Sequence, residues 1–129
     1  MAWEQAEVRS LKPNRYVLIG DEPCRIISIT TSKPGKHGEA KARIECFGLF
    51  DNQKRSIVHP VTHKVRVPMI DRRRAQVLSL QGGEVQLMDL ETYETFTLPV
   101  PADFEGKLEP SQNVQYMVAM GRPKLLGRP

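Results

Sequence analysis

The stretch Thr30-Thr-Ser-Lys-Pro-Gly-Lys-His-Gly-Glu-Ala-Lys41 holds the residues best suited to chemistry. Lys33, Lys36, Lys41 and the following Arg43 stand against a single acid, Glu39. Lys36 lies between Gly35 and His37-Gly38, so a partner can approach the backbone on both sides of its amine. Pro34 restrains the start of the turn. A P-loop would require G-x-x-x-x-G-K-[ST] ahead of a helix. Here Thr30 stands at the first glycine position, His37 follows the lysine and strand-like runs flank the segment, so that reading fails. Two others stay open: a basic finger that contacts phosphates, and a solvated hairpin tip rich in Gly, Pro and Lys for conformational reasons alone.

The remaining reactive residues offer less. Cys24 and Cys46 are the only cysteines, each within an apolar segment, and no C-x-x-C exists. They read as buried thiols. His59 and His63 have an H-x3-H spacing but lack the paired cysteines of a zinc finger, so they read as surface imidazoles. The best catalytic set, His59, His63 and Asp71, has no nucleophile or metal-ligand spacing, so an enzyme is not expected.

Short β-strands must position these residues. Tyr16 to Ile19, Cys24 to Thr30, Ala42 to Phe47, Ser56 to His59 and Lys64 to Val67 are rich in Val, Ile and Thr and separated by turn signals. After Pro68 the pattern restarts: Arg74 to Leu80 and Glu84 to Leu90 alternate across Gly82-Gly83, followed by Thr95 to Val100 and Val114 to Met120. Pro101 to Leu108 predicts one short helix, and Gly121 to Pro129 a frayed tail. The expectation is an all-β chain of two small barrels, the second of OB type, divided as 1–69 and 70–129.

Charge divides at the same place. The 129 residues carry 19 Lys plus Arg and 15 Asp plus Glu, a formal +4. Residues 1–67 hold 12 basic and 7 acidic groups, whereas 71–121 hold 4 and 8. A basic first half fits a polyanionic partner only mildly. Arg72-Arg73-Arg74 reads either as an RNA-facing patch or as a solvated strand start or domain-interface charge. Of the second module's aromatics, Phe96 and Tyr116 fall in strand-like runs and are expected in the core, which leaves no evident base-stacking platform. Trp3 is expected to pack on the first barrel. No apolar run approaches the about 20 residues of a membrane span, and the N-terminal segment has no secretory pattern, so a cytoplasmic location is expected.

The motif T-S-K-P-G-K-H-G-x-A-K resembles the hypusine loop of the translation factor 5A family, the archaeal and eukaryotic initiation and elongation factors. L-K-P-N-R-Y-V-L-I-G-D-E-P-C-R-I, I-V-H-P-V-T-H-K-V-R-V-P and the order of the second half extend the similarity over essentially the whole chain. The resemblance implies an N-terminal SH3-like barrel carrying the loop and a C-terminal OB-fold barrel with one short helix. It implies that Lys36 is the lysine converted to deoxyhypusine and then hypusine by an aminobutyl group from spermidine, with deoxyhypusine synthase as a partner and NAD on that synthase. No cofactor of the chain itself is implied. Ser32, Lys33, Pro34, Gly35, His37, Gly38, Lys41 and Arg43 would form the surrounding RNA- and ribosome-binding loop. The ribosome and peptidyl-tRNA would be the partners of a monomeric, non-membrane factor acting where peptide bonds form slowly, as at proline runs, and in termination. Pro34 stands where eukaryotic members usually have Thr and Glu39 where they have another His; with the early start of the barrel, this matches archaeal members, in which modification can stop at deoxyhypusine. The alternative is an SH3-plus-OB RNA-binding protein whose basic loop is unmodified.

Overall fold

A computed structural model of the chain describes residues 2–32 and 40–127. It divides into two compact units, Met1–Met69 and Ile70–Pro129.

In the first unit, β1 (Trp3–Glu7) and a 3-10 turn (Val8–Ser10) precede β2 (Tyr16–Ile19), β3 (Glu22–Ser32), β4 (Lys41–Gly48), β5 (Lys54–Pro60) and β6 (Lys64–Pro68). Strands β2 to β5 pair in sequence order as an antiparallel sheet, and β1 pairs with β6. Alternation decides what is buried. On β4, Ala42, Ile44 and Cys46 point inward while Lys41 and Arg43 point to solvent. With Val8, Val17, Cys24 and Ile26 they form the core of the SH3-like barrel, edged by Ile29, Ile57, Val61 and Val65. Trp3, half-buried, lies beneath the Arg66 guanidinium, 5.3 Å from its ring centroid.

The β4–β5 connection shows how tightly one turn is specified. Asn52 adopts a left-handed φ of 55° and donates its amide to the Gly48 carbonyl at 3.1 Å. Asp51 accepts from the Gln53 amide at 3.0 Å and is gripped by both terminal nitrogens of Arg55, at 3.0 and 2.7 Å. These contacts hold the Asp51 carboxyl down at about 2, Arg55 being the largest cause.

The second unit is one five-stranded antiparallel sheet, ordered β11-β10-β7-β8-β9. Its strands are β7 (Ile70–Gln81), β8 (Glu84–Asp89), β9 (Thr95–Pro99), β10 (Asn113–Ala119) and β11 (Arg122–Gly127). The sheet curls until β9 and β11 approach, enclosing Ala75, Val77, Val85, Leu87, Val114, Tyr116 and Leu125 as an OB-type barrel core. Gly82 and Gly83 both take positive φ, 59° and 80°, and close the tight β7–β8 turn, where Gln81 pairs with Glu84. Phe96 and Tyr116 meet in the core with centroids 4.9 Å apart.

Three expectations change. The helix over Pro101 to Leu108 is a single 3-10 turn, Ala102–Phe104, which ends where Glu105 leaves the helical region at φ −58° and ψ 129°, ahead of Gly106 with φ of 72°. Of the residues expected to fray, Arg122–Gly127 form strand β11: Met120 and Gly121 turn the chain with positive φ, and Leu125 is buried. Pro123 is tolerated because β11 is an edge strand. Strand β7 begins at Ile70 rather than Arg74, which places Arg72-Arg73-Arg74 inside a strand.

That placement explains Arg73. Asp89, only 2% exposed, accepts from Arg73 Nε at 2.6 Å, from the Tyr116 hydroxyl and from the amides of Glu91 and Thr92 at 2.7 and 2.9 Å. Arg73 also reaches Asp71 at 3.1 Å and Glu91 at 3.5 Å. Its guanidinium is therefore an internal tie among β7, β8 and β10, and the RNA-patch reading does not apply to it. Arg73 first, then Tyr116 and the two amides, holds the Asp89 carboxyl well below the usual carboxylate range against the opposing effect of burial.

Two outcomes follow for stability. A Cβ on Gly48 would collide with the Asp51 carboxylate and lie 2.7 Å from an Arg55 nitrogen, so Gly48→Ala should destabilise the first unit by about 1–3 kcal/mol in urea unfolding. Asp89→Asn should lower the melting temperature of the second unit by several degrees at pH 7, read by calorimetry. Because the folded carboxyl lies below its unfolded value of about 3.9, its stabilisation is complete above that pH and is lost as pH falls through the folded value. The variant should therefore lose less stability than the parent between neutral pH and strong acid.

Candidate functional site

Strands β3 and β4 form the longest hairpin of the first unit, and Ser32↔Lys41 is its last pair. Strand β3 ends at Ser32, and the chain is described again from Ala40. Lys33, Pro34, Gly35, Lys36, His37 and Gly38, the centre of the sequence motif, lie outside the described residues, as does Glu39.

The stem is well defined. Ser32 is exposed and its hydroxyl donates to the Lys41 carbonyl at 3.3 Å, across the end of the hairpin. Lys41 is exposed and opposite Pro60 of β5; Arg43 is exposed and opposite Val58. Arg43 Nε donates to Glu45 at 3.4 Å, and Glu45 also lies 3.9 Å from Lys54. The register puts Thr30, Ser32, Lys41, Arg43 and Val58 on one side of the sheet. The opposite side carries Ile29 and Ile44 to the core, with Ala42 beside them. The structure thus brings together Ser32, Lys41 and Arg43 of the expected loop residues, on one solvent-facing side.

Beneath the stem lies a pair that spacing alone did not explain. His59, opposite Ala42, is half-buried, and its ring stacks on exposed His63 with centroids 4.1 Å apart and planes at 14°. Burial, and then the neighbouring His63, holds the His59 imidazole below its ordinary value. The H-x3-H spacing was the visible signal; the stack depends on a turn between β5 and β6. Cys24 and Cys46 are free and fully buried. Burial and the adjacent Cys24 sulfur raise the Cys46 thiol to about 12, and burial raises Cys24, so neither is a reactive thiolate at neutral pH. Among the described residues, no cluster of three or more His, Cys, Asp or Glu is arranged to hold a metal, and no helix is long and apolar enough to cross a membrane.

Comparison with known proteins gives this geometry its context. The family description Translation initiation factor 5A-like, N-terminal matches residues 4–63. A second, Eukaryotic elongation factor 5A hypusine, DNA-binding OB fold, matches residues 69–127. Translation initiation factor 5A of Picrophilus torridus is 61% identical over 127 residues, covering 98% of both chains. That of Thermoplasma acidophilum is 57% identical over 126 residues, again 98% of both. The solved structure of Eukaryotic translation initiation factor 5A from Methanococcus jannaschii superposes with a TM-score of 0.91 at 49% identity, covering 98% of this chain and 94% of the other. These matches span both barrels, and the chain belongs to the translation initiation factor 5A family, a family of translation factors and not a class of enzymes.

Proposed function

We propose that this chain binds the ribosome and promotes peptide-bond formation at stalled sequences through a modified side chain at Lys36. The carrying observation is the uninterrupted K-P-G-K-H-G run, Lys33 to Gly38, between Ser32 and Lys41, the last described pair of the β3–β4 hairpin, in a chain of this family. Lysine suits the role. Its deprotonated amine is a nucleophile on a flexible stem, whereas a guanidinium stays protonated. Transfer of an aminobutyl group by deoxyhypusine synthase, which breaks a C–N bond of the donor spermidine and releases 1,3-diaminopropane, keeps the positive charge, adds a second amine and lengthens the reach by several Å. The modified tip then steadies the CCA end of a peptidyl-tRNA when transfer is slow, as at consecutive prolines or during termination. Lys33, His37, Lys41 and Arg43 support it by contacting RNA phosphates, and Ser32, Pro34, Gly35 and Gly38 shape the backbone around it. The outward positions of Lys41 and Arg43 on the stem suit such contacts. The chain performs no bond chemistry of its own in this scheme: it is the substrate of the modifying enzyme and an effector on the ribosome. It acts in the cytoplasm as a monomer.

Intact-mass and peptide analysis of protein isolated from its native cells tests the modification. The Lys36 peptide should carry an aminobutyl increment, with or without one further oxygen. A native peptide bearing no addition would favour an SH3-plus-OB RNA-binding protein with an ordinary basic loop. Lys36→Arg should leave thermal unfolding unchanged yet abolish stimulation of peptide synthesis on proline-stalled ribosomes. Full stimulation by that variant would refute the mechanism.

A further inference from the structure

The His59–His63 pair has no part in the scheme above, yet it sits where the loop returns to the sheet. Val61, between the two histidines, donates its amide to the Ala40 carbonyl at 2.9 Å. Ala40 is the first described residue after the loop tip. The Val61 carbonyl in turn accepts from the Arg9 amide at 3.0 Å, and the His63 carbonyl accepts from the Val8 amide at 2.9 Å. Val8 is fully buried in the barrel core. The turn itself is closed by the His63 amide, which donates to the Pro60 carbonyl at 3.0 Å. Two hydrogen-bonded links therefore tie the loop's return to the core, and both pass through the turn whose ends the stacked rings bridge.

We infer that the His59–His63 stack is a positioning element that fixes the return of the Lys36 loop at Ala40, and that it weakens when both rings carry charge. Neutral rings attract at this separation, and Ile57 and Val61, two residues to either side of His59, pack against the core. Two imidazolium rings at 4.1 Å would repel, and the half-buried side of the pair at His59 is screened less than the exposed His63. Among the described residues, the charged groups on the adjoining elements offer no compensating partner. Lys41 on β4 and Lys64 at the start of β6 are cationic, and Glu7 at the end of β1 is paired with Arg9. After burial, His63 is the electrostatic cause that holds His59 down. The sign follows: with its folded value below the unfolded one of about 6.5, His59 contributes its full stabilisation above that pH. The contribution falls away as pH drops from there through the folded value. Neither residue touches a reacting atom; each acts through the Val61–Ala40 bond. The consequence for translation rests on the reading of Lys36 given above, but the brace itself does not.

Amide hydrogen exchange by NMR on the full, unmodified chain separates the two ideas, since it requires neither the modification nor a ribosome. After correction for intrinsic exchange, protection of the Val61 amide should fall several-fold between pH 7.5 and pH 5. Protection of the Val77 amide, bonded to Gln112 in the other unit, should stay constant. The double variant His59→Phe/His63→Phe keeps two stackable rings without charge and should remove the pH dependence while retaining protection. His63→Ala should lower Val61 protection at both pH values. Constant protection of Val61 across this range in the parent chain overturns the proposal without any variant. So does an unchanged pH dependence in the double phenylalanine chain. If the brace holds and the native Lys36 peptide is unmodified, the brace stands and the modification reading fails.

Discussion

The pairing of β3 with β4 is the constraint on which the first unit and its loop depend, and its decisive feature is a single irregularity. From Cys24↔Gly48 to Ile26↔Cys46 the register runs regularly; it then slips, and resumes at Ser28↔Glu45. The extra residue, Ile27, is pushed toward solvent at 40% exposure. Because strand side chains alternate with a period of two, one inserted residue exchanges the faces of everything after it. Cys24 and Ile26 face the core before the bulge; Ile29 packs against it afterwards. Thr30 and Ser32 are thereby turned outward, beside Arg43 and Lys41. Without the bulge, Ile29 would point to water and the hydroxyls of Ser28, Thr30 and Ser32 toward the apolar side. One backbone irregularity thus gives the stem a polar outer surface and a dry inner one.

The second barrel uses the same device for a different purpose. Its β7–β8 register slips between Val77 and Ser79, so that Ala75 and Val77 fill the core while Ser79 faces outward and donates to Gln86 at 3.3 Å. The slip also increases the curl that brings β9 toward β11. Where the apolar core reaches the β7, β8 and β10 junction, Asp89 takes over as the anchor. A carboxylate this deeply buried is tolerable only because its partners converge on it: a guanidinium, a hydroxyl and two amides.

Sequence reading recovered what depends on local pattern and missed what depends on pairing. Alternation and turn residues located most of the strands, because Val, Ile and Thr runs between Gly, Pro, Asp and Asn carry their own signal. Trp3 to Glu7 was missed, since WEQAE has neither a β-branched residue nor clean alternation and becomes a strand only through its pairing with β6. Arg122 to Gly127 was missed because Gly and Pro signal breaks, whereas an edge strand after a positive-φ turn accommodates both. The residue types of the loop were legible as a long contiguous motif. The stacked histidines were visible as a spacing but not as a pair, because only the turn between β5 and β6 brings their rings face to face. Neither bulge leaves a signature in the sequence that alternation alone can read.

Net charge, the first clue to a polyanionic partner, changes meaning once its carriers are placed. Several arginines serve the fold: Arg55 holds the Asp51 turn, Arg73 holds Asp89, and Arg66 binds Asp21 and the Gly20 carbonyl while covering Trp3. Each is a planar donor fork matched to carboxylate or carbonyl oxygens, a geometry that a lysine ammonium cannot reproduce. The loop motif is built instead on lysine, with Lys33, Lys36 and Lys41 and no arginine before Arg43. A long-range attraction to phosphate would be served equally by either residue. A site that must present a modifiable amine requires lysine, since the guanidinium stays protonated and is a poor nucleophile. Lysines also lie outside the loop, as Lys12, Lys54, Lys64, Lys107 and Lys124, but the arginines that hold the turns and the buried carboxylate are replaced in the loop motif by lysine alone, the residue type that a modifiable amine requires.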